Sequence, residues 1–295
     1  MKKLKIVFLG TPEFAVPSLD AIIKDGHEVA AVVTATDKPA GRGHKLLPSA
    51  VKQYALEHNI PVLQPSRLRD PEFLDSLRRI GADIFVVIAF RMLPEEVWGM
   101  PPMGTFNLHA SLLPRYRGAA PINRAVMNGD TETGVTTFLL KHEIDTGDIL
   151  RQEQIEIGPD ENVGSVHDRL MELGSRVTVE TLRDLADGCA RPRPQLDEQA
   201  TPAPKIFRED CMIDTSRTAE EVRNHIRGLS PYPCARIVSH GVEMKVFEAR
   251  HADHKEAGRL YCECADGLLE LTQVQPAGKR PMSGADFLRG VKNCE

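Results

Sequence analysis

DIFVVIAF, residues 83–90, contains an unbroken apolar run from Ile84 to Phe90. A strand half in water alternates apolar with polar residues. A continuous run of this length marks a strand covered on both faces, as in a parallel sheet flanked by helices. The segments around it alternate in type. IVFLG (6–10) and EVAAVVTA (28–35) read as further buried strands. PSLDAIIKDG (17–26), SAVKQYALEHN (49–59) and PEFLDSLRRIG (71–81) carry helical periodicity, with Ser49 as a cap and Gly26 and Gly81 as stops. GTFNLHAS (104–111) is the next strand and AAPINRAVMNG (119–129) the next helix. GVTTFLLK and ILRQEQIEI form a strand pair around HEIDTGD (142–148), and a long helix runs from Val163 to Gly188. The predicted class is α/β, an open, mostly parallel sheet with helices on both faces. Ligands of such sheets bind beyond the carboxyl ends of the strands.

The pattern changes at CARPRPQLDEQATPAPKI (189–206), where four prolines among polar residues read as a linker. Beyond it, TAEEVRNHIRGL (218–229) reads as a helix. CARIVSHG, VEMKVFEAR, GRLYCEC and LLELTQVQP read as short strands of a small β-rich domain. The expected division is therefore 1–188, a linker over 189–206, and 207–295.

The 295 residues are 41% hydrophobic and 27% charged, enough apolar mass for a real core. The net charge of -5 is not that of a dedicated nucleic-acid binder, and residues 207–295 carry 13 basic against 14 acidic side chains. The N-terminal MKKLKIVFLGTPEF mimics a signal peptide, but its apolar run is shorter than the usual ~7–15 residues. No run approaches the ~18–20 apolar residues of a membrane span. A cytoplasmic protein without membrane association is expected. The six cysteines include one C-x-C pair and no second pair at zinc-site spacing, so they read as scattered reduced thiols.

The loop GTPEF after the first strand has one glycine where the dinucleotide fingerprint needs three, and no phosphate-binding G-x-x-x-x-G-K-[ST] occurs. The chemistry gathers instead in FNLHASLLPRYRGAAP (106–121). Strand side chains alternate, so Asn107, His109 and Ser111 share one face. An amide donor beside an imidazole suits carbonyl chemistry, one holding an oxyanion and the other moving a proton. The bland alternative is two polar residues satisfying each other. Asp145, in the HEIDTGD loop, can complete a set by fixing the imidazole tautomer. A Ser111–His109–Asp145 hydrolase is formally possible, but Ser111 lacks the G-x-S-x-G elbow. A metal site fails for want of a third ligand, and none is expected. TATDKPAGRGHKLLPSAVK (34–52) is a long polar loop with Lys38, Arg42, His44 and Lys45. It reads either as a solvated loop or as a basic finger for a phosphate backbone.

FLGTPEFAVPSL, DKPAGRGHKLLPSAVK, NLHASLLPRYRGAAPI, DTGDIL, TPAPKI and QPAGKRPMSGADFL, in this order, resemble the methionyl-tRNA formyltransferases over nearly the whole chain. The N-x-H-x-S-L-L-P core and DTGD are shared with all enzymes taking formyl groups from 10-formyltetrahydrofolate. PAGRGHK, RGAAPI and QPAGKRPM separate the tRNA enzyme from its relatives. The resemblance implies a Rossmann-like formyltransferase domain followed by a small OB-like β-barrel that binds tRNA, in a monomer. It implies that Asn107, His109 and Asp145 are catalytic. Ser111, Leu112, Leu113 and Pro114 then correspond to a folate-contacting loop, and Phe90, Arg91, Met92 and Leu93 to the strand end that meets the pterin. Arg42, with Lys38 and Lys45 in its loop, corresponds to the segment entering the acceptor end of initiator methionyl-tRNA. Three rivals remain: a related folate-dependent formyltransferase, a formyl-folate hydrolase, and a catalytically idle tRNA-binding protein.

Overall fold

A computed structural model describes residues 2–40 and 45–292. The chain divides into two units. The first comprises Met1–Arg117, Gly134–Gln154 and Asp168–Pro202, and the second Gly118–Thr133, Ile155–His167 and Ala203–Glu295.

The first unit is built on strands β1 (Lys5–Gly10), β2 (Glu28–Val33), β3 (Lys38–Ala40), β4 (Lys45–Leu47), β5 (Val62–Leu63), β6 (Ile84–Ile88) and β7 (Thr105–His109). The short β8 (Arg117–Gly118) precedes β9 (Glu132–Leu139) and β10 (Ile149–Glu156). Seven of these form one sheet in the order β10-β9-β7-β6-β1-β2-β5. The pairs β5–β2, β2–β1, β1–β6 and β6–β7 are parallel, and β9 runs antiparallel to β7. The chain starts at β1, builds outward through β2 to β5, and returns to build the other side from β6. The reversal lies between β1 and β6, and β7 ends one strand away.

The apolar run behaves as its composition demands. Every residue of β6 is buried. Phe85 and Val87 join Val7, Leu9 and Val33 in a core with Phe73 and Leu77 of α3 (Pro71–Ile80), while Ile84, Val86 and Ile88 are equally buried. The earlier helices are α1 (Val16–Lys24) and α2 (Ala50–Glu57). Ser49 caps α2 by accepting from the Lys52 N–H, and Gly81 closes α3 in the left-handed conformation.

The polar loop expected over 34–52 is part hairpin. β3 and β4 pair antiparallel, with Lys38 opposite Leu47 and Ala40 opposite Lys45. Arg42 and His44 lie outside the described residues.

The remaining helices are α4 (Glu95–Trp98), α5 (Pro121–Met127), α6 (Val163–Ala186), α7 (Ala219–Leu229) and α8 (Gly284–Lys292). In the second unit β12 (Ala235–Ser239), β13 (Val242–Ala252), β14 (Tyr261–Glu263), β15 (Leu268–Pro276) and β16 (Met282–Ser283) form an antiparallel sheet, preceded by the short β11 (Pro202–Ala203). Val222, Ile226 and Leu229 of α7 pack with Met244, Val246, Leu269, Leu271 and Phe287 as its core. Thr218 and Glu221 complete a reciprocal capping box at the start of α7. Among the described residues, no helix is long and apolar enough to cross a membrane.

Candidate active site

β7 delivers two polar side chains at the carboxyl edge of the sheet. Its register sets Asn107 beside Val87 of β6 and Phe138 of β9, and His109 beside Thr136. Leu108 points to the opposite face, toward Gly174 of α6, where an added Cβ would come within 2.6 Å of Leu108 Cδ2. The alternation therefore separates a packing face from a chemical one, as the sequence predicted.

His109 is buried, and its ring is anchored through Nε2. Nε2 lies 2.8 Å from the Tyr116 carbonyl oxygen, which can only accept, so Nε2 carries a proton. Nδ1 faces Asp145, 3.8 Å from Oδ2. The Phe138 ring meets the imidazole edge-on at 6.5 Å between centroids. Asp145 comes from the loop between β9 and β10 and is itself only 11% exposed at its side chain. The three polar groups expected to act together thus come together within the first unit.

Asn107 supplies the clearest sign of function. Its Oδ1 is buried and has no hydrogen-bond partner among the described residues. Buried polar atoms are nearly always paired, because leaving one unpaired costs about 1–3 kcal/mol. The reading in which Asn107 and His109 merely satisfy each other fails, since Asn107 Oδ1 has no partner among the described residues and His109 Nε2 donates to the Tyr116 carbonyl. An unpaired amide oxygen beside an oriented imidazole is free to accept a hydrogen bond from a ligand.

The turn after β7 is locked internally. Ser111 is fully buried and donates from Oγ to the Arg115 carbonyl. Thr136 Oγ1 donates to the Ser111 carbonyl and accepts from the Leu113 N–H, and Gln152 Nε2 donates to both Thr136 Oγ1 and the Leu113 carbonyl. Leu113 is buried, while Leu112 and Pro114 remain half-buried. The Ser111 hydroxyl is therefore occupied as a donor to a main-chain carbonyl.

At the end of β6, Phe90 packs against the core and Leu93 is buried within it. The Arg91 guanidinium donates to the carbonyls of Pro65 and Ser66 and lies 5.7 Å from the Phe90 ring centroid. Arg91, Leu93, Arg67 and Arg69 line an open groove beside this strand end. Among the described residues, no group of three or more His, Cys, Asp or Glu is placed to hold a metal ion.

The fold and this edge define a class. The formyl transferase model matches residues 4–182, and the model of the formyl transferase C-terminal domain matches residues 205–292. The chain belongs to the formyl transferase family and, within it, to the methionyl-tRNA formyltransferases. It is 49% identical to a protein of that name from Bacteroides fragilis over 100% of this chain and 98% of the relative. It is also 49% identical to one from Parabacteroides distasonis, over 99% and 98%. The fold recurs in solved structures of low identity. HypX from Aquifex aeolicus in complex with tetrahydrofolic acid superposes with a TM-score of 0.69 at 17% identity, covering 98% of this chain and 48% of that longer one. The sugar 3N-formyl transferase WlaRD, solved in the presence of dTDP and 5-N-formyl-THF, gives 0.69 at 19% identity, covering 95% and 100%.

Sequence reasoning missed the residues that hold this turn and the imidazole: Thr136, Gln152, and Tyr116 through its carbonyl. Thr136 carried one usable signal, a hydroxyl in a buried strand opposite His109.

Proposed function

We propose that this chain transfers the formyl group of 10-formyltetrahydrofolate to the α-amino group of methionine on initiator tRNA, as the names of its relatives suggest. The observation carrying the proposal is the buried, unpaired Asn107 Oδ1 beside an imidazole that is anchored on Tyr116 and faces Asp145. A free α-amino group has a pKa of about 7.7–8.0, and an ester neighbour lowers it, so a useful fraction is neutral near pH 7. The neutral amine attacks the formyl carbon and negative charge develops on its oxygen. Asn107 donates to that oxygen through Nδ2, and its unpaired Oδ1 accepts from the attacking amine. His109 Nδ1 faces Asp145, and this pair takes the proton released by the amine. As the intermediate collapses, the bond from the formyl carbon to folate N10 breaks, the proton passes to N10, and tetrahydrofolate leaves.

The turn 111–114 and the strand end Phe90, Arg91 and Leu93 are assigned to the folate. Leu112 and Pro114 offer side-chain surface, and the others contribute backbone and shape. Lys38, Arg42 and Lys45 are assigned to tRNA, together with residues 207–295 as the tRNA-binding domain beyond the 189–206 linker and the 1–188 catalytic domain. The protein is placed in the cytoplasm as a monomer.

One assay tests the function. The protein is incubated with 10-formyltetrahydrofolate and methionyl-tRNA, and formyl on the amino acid is the expected product. Formate release alone would make it a hydrolase, and tight tRNA binding without turnover would make it an idle binding module. For the basic loop, Arg42→Ala should weaken tRNA affinity, leave folate affinity unchanged and lower the salt dependence by about one phosphate contact. Loss of folate affinity instead would move the loop to the folate site.

A further inference from the structure

YRG, residues 116–118, and the linker contain groups for which the reaction chemistry has no direct use, yet both are tied to the active site. We propose that Gln195, held by Arg117, is a positioning residue for Asp145. The proposal rests on the assignment of Asp145 to the reaction.

The Asp145 backbone has φ 56°, in the left-handed region that a residue with a Cβ rarely adopts. Such a conformation costs of order 1–3 kcal/mol and persists only where its surroundings hold it. A side chain of the linker helps to hold it. Gln195 Nε2 donates to the Asp145 carbonyl at 2.9 Å and to the Gly147 carbonyl at 2.8 Å. Both amide hydrogens are thereby directed at the loop that carries the carboxylate.

The amide is held in that orientation from behind. Gln195 Oε1 accepts from Arg117 Nε at 3.1 Å and Nη2 at 2.7 Å, and the same Nη2 donates to Asp197 Oδ1 at 2.7 Å. Across 191–199 every residue is exposed except Gln195. The Asp197 carboxylate is 81% exposed and adds little, whereas the Arg117 side chain is 16% exposed.

The same linker fixes the other partner. The Tyr116 carbonyl that receives His109 Nε2 belongs to a residue at φ 63°. The Tyr116 N–H donates to Thr201 Oγ1 at 2.9 Å, and the Arg117 N–H donates to the Thr201 carbonyl at 2.9 Å. One short segment, 195–201, which includes a 3-10 turn over Asp197–Gln199, therefore sets the placement of both the imidazole and the carboxylate. Arg117 is the hinge of the arrangement: its backbone takes hold of Thr201 and its side chain takes hold of Gln195.

A double-mutant cycle on the full chain tests this, with Gln195→Met, which keeps length and removes both donors, and Asp145→Asn. Gln195→Met should lower kcat about 10–100-fold, as expected for a reacting group misplaced by an ångström or less. KM for both substrates should stay within about twofold. In the Asp145→Asn background Gln195→Met should have little further effect, because its route runs through that carboxylate. Arg117→Met should reproduce the loss and Arg117→Lys restore part of it. An additive cycle, or unchanged kcat in Gln195→Met alongside a strong Asp145→Asn defect, would overturn the positioning role. Near-normal kcat in Asp145→Asn itself would remove the catalytic assignment on which the proposal stands.

Discussion

Asn107 buries an oxygen that no described residue satisfies. Retaining it lowers stability without benefit to folding, the usual relation between a binding site and its scaffold. Asn107→Ala also removes the Nδ2–H that donates to the developing oxyanion, and is expected to lower turnover by ~10²–10³, the typical effect of removing one such donor. Thermal stability should stay level or rise, as measured by melting temperature beside single-turnover formyl transfer. Normal turnover would dismiss the residue from the chemistry, and a large drop in melting temperature would give it a structural role instead. Ser111 makes the opposite case. It is fully buried and bonded to Arg115, so Ser111→Ala should cost about 1 kcal/mol in urea denaturation. Its turnover should stay within a few-fold of the parent, and a loss of several orders of magnitude would revive the nucleophile.

At the scale of elements, the HEIDTGD loop shows what was legible and what was not. Its aspartate could be named from a polar loop between strands, and Asn107 and His109 from a period of two. The sheet could be read from DIFVVIAF, whose five strand residues are all buried because helices cover both faces. Ser49 and Gly81 marked helix ends through side-chain and backbone chemistry that any sequence displays. The contacts that aim the site were hidden, because most end on main-chain carbonyls. The oxygens of Tyr116, Asp145 and Gly147 belong to groups every residue possesses. The linker's proline-rich composition concealed Gln195 for the same reason. The β3–β4 hairpin escaped because three-residue strands in a Gly- and Lys-rich segment show no alternation, and α8 because glycines at 284 and 290 dilute its helical pattern. Gly147 itself has a clear physical reason. A Cβ there would fall 1.5 Å from the Leu139 carbonyl oxygen, so the loop closes directly on the end of β9 only with glycine. Gly147→Ala should displace the loop, lower stability by about 1–3 kcal/mol as overpacking does, and reduce kcat through the misplaced Asp145. Unchanged kcat and stability would show that the loop has room it does not display.

At the scale of the whole molecule, each unit contains a histidine that burial keeps neutral. Burial pushes the pKa of His27 below its ordinary value, and nearby Arg183 acts in the same direction against partial opposition from Asp25. Its Nδ1 accepts from the Leu4 N–H, tying the ring to the start of β1. In the second unit burial likewise lowers the pKa of His225, assisted by Arg217 and Arg124 and opposed by a backbone hydrogen bond with Cys211 and by Asp210. His225 Nε2 is buried without a partner among the described residues, so a proton arriving there finds no acceptor. The sign follows from linkage. Once unfolded, both rings titrate near 6.5, whereas the folded rings stay neutral to lower pH. Above about pH 6.5 neither state gains protons and stability is level. As pH falls below that, the unfolded chain binds protons that the folded chain refuses, and stability is lost until the folded values are reached. Within that window each ring contributes a slope of about 1.4 kcal/mol per pH unit at most. Carboxylates held low by partners, such as Asp20 beside Lys24 and Asp214 beside Ser216, act in the more acidic range below their ordinary values. Urea midpoints should therefore fall between pH 7 and pH 5.5, and His225→Gln should flatten the part of the decline belonging to the second unit. A midpoint that stays constant over this interval would mean that neither ring is kept neutral by the fold.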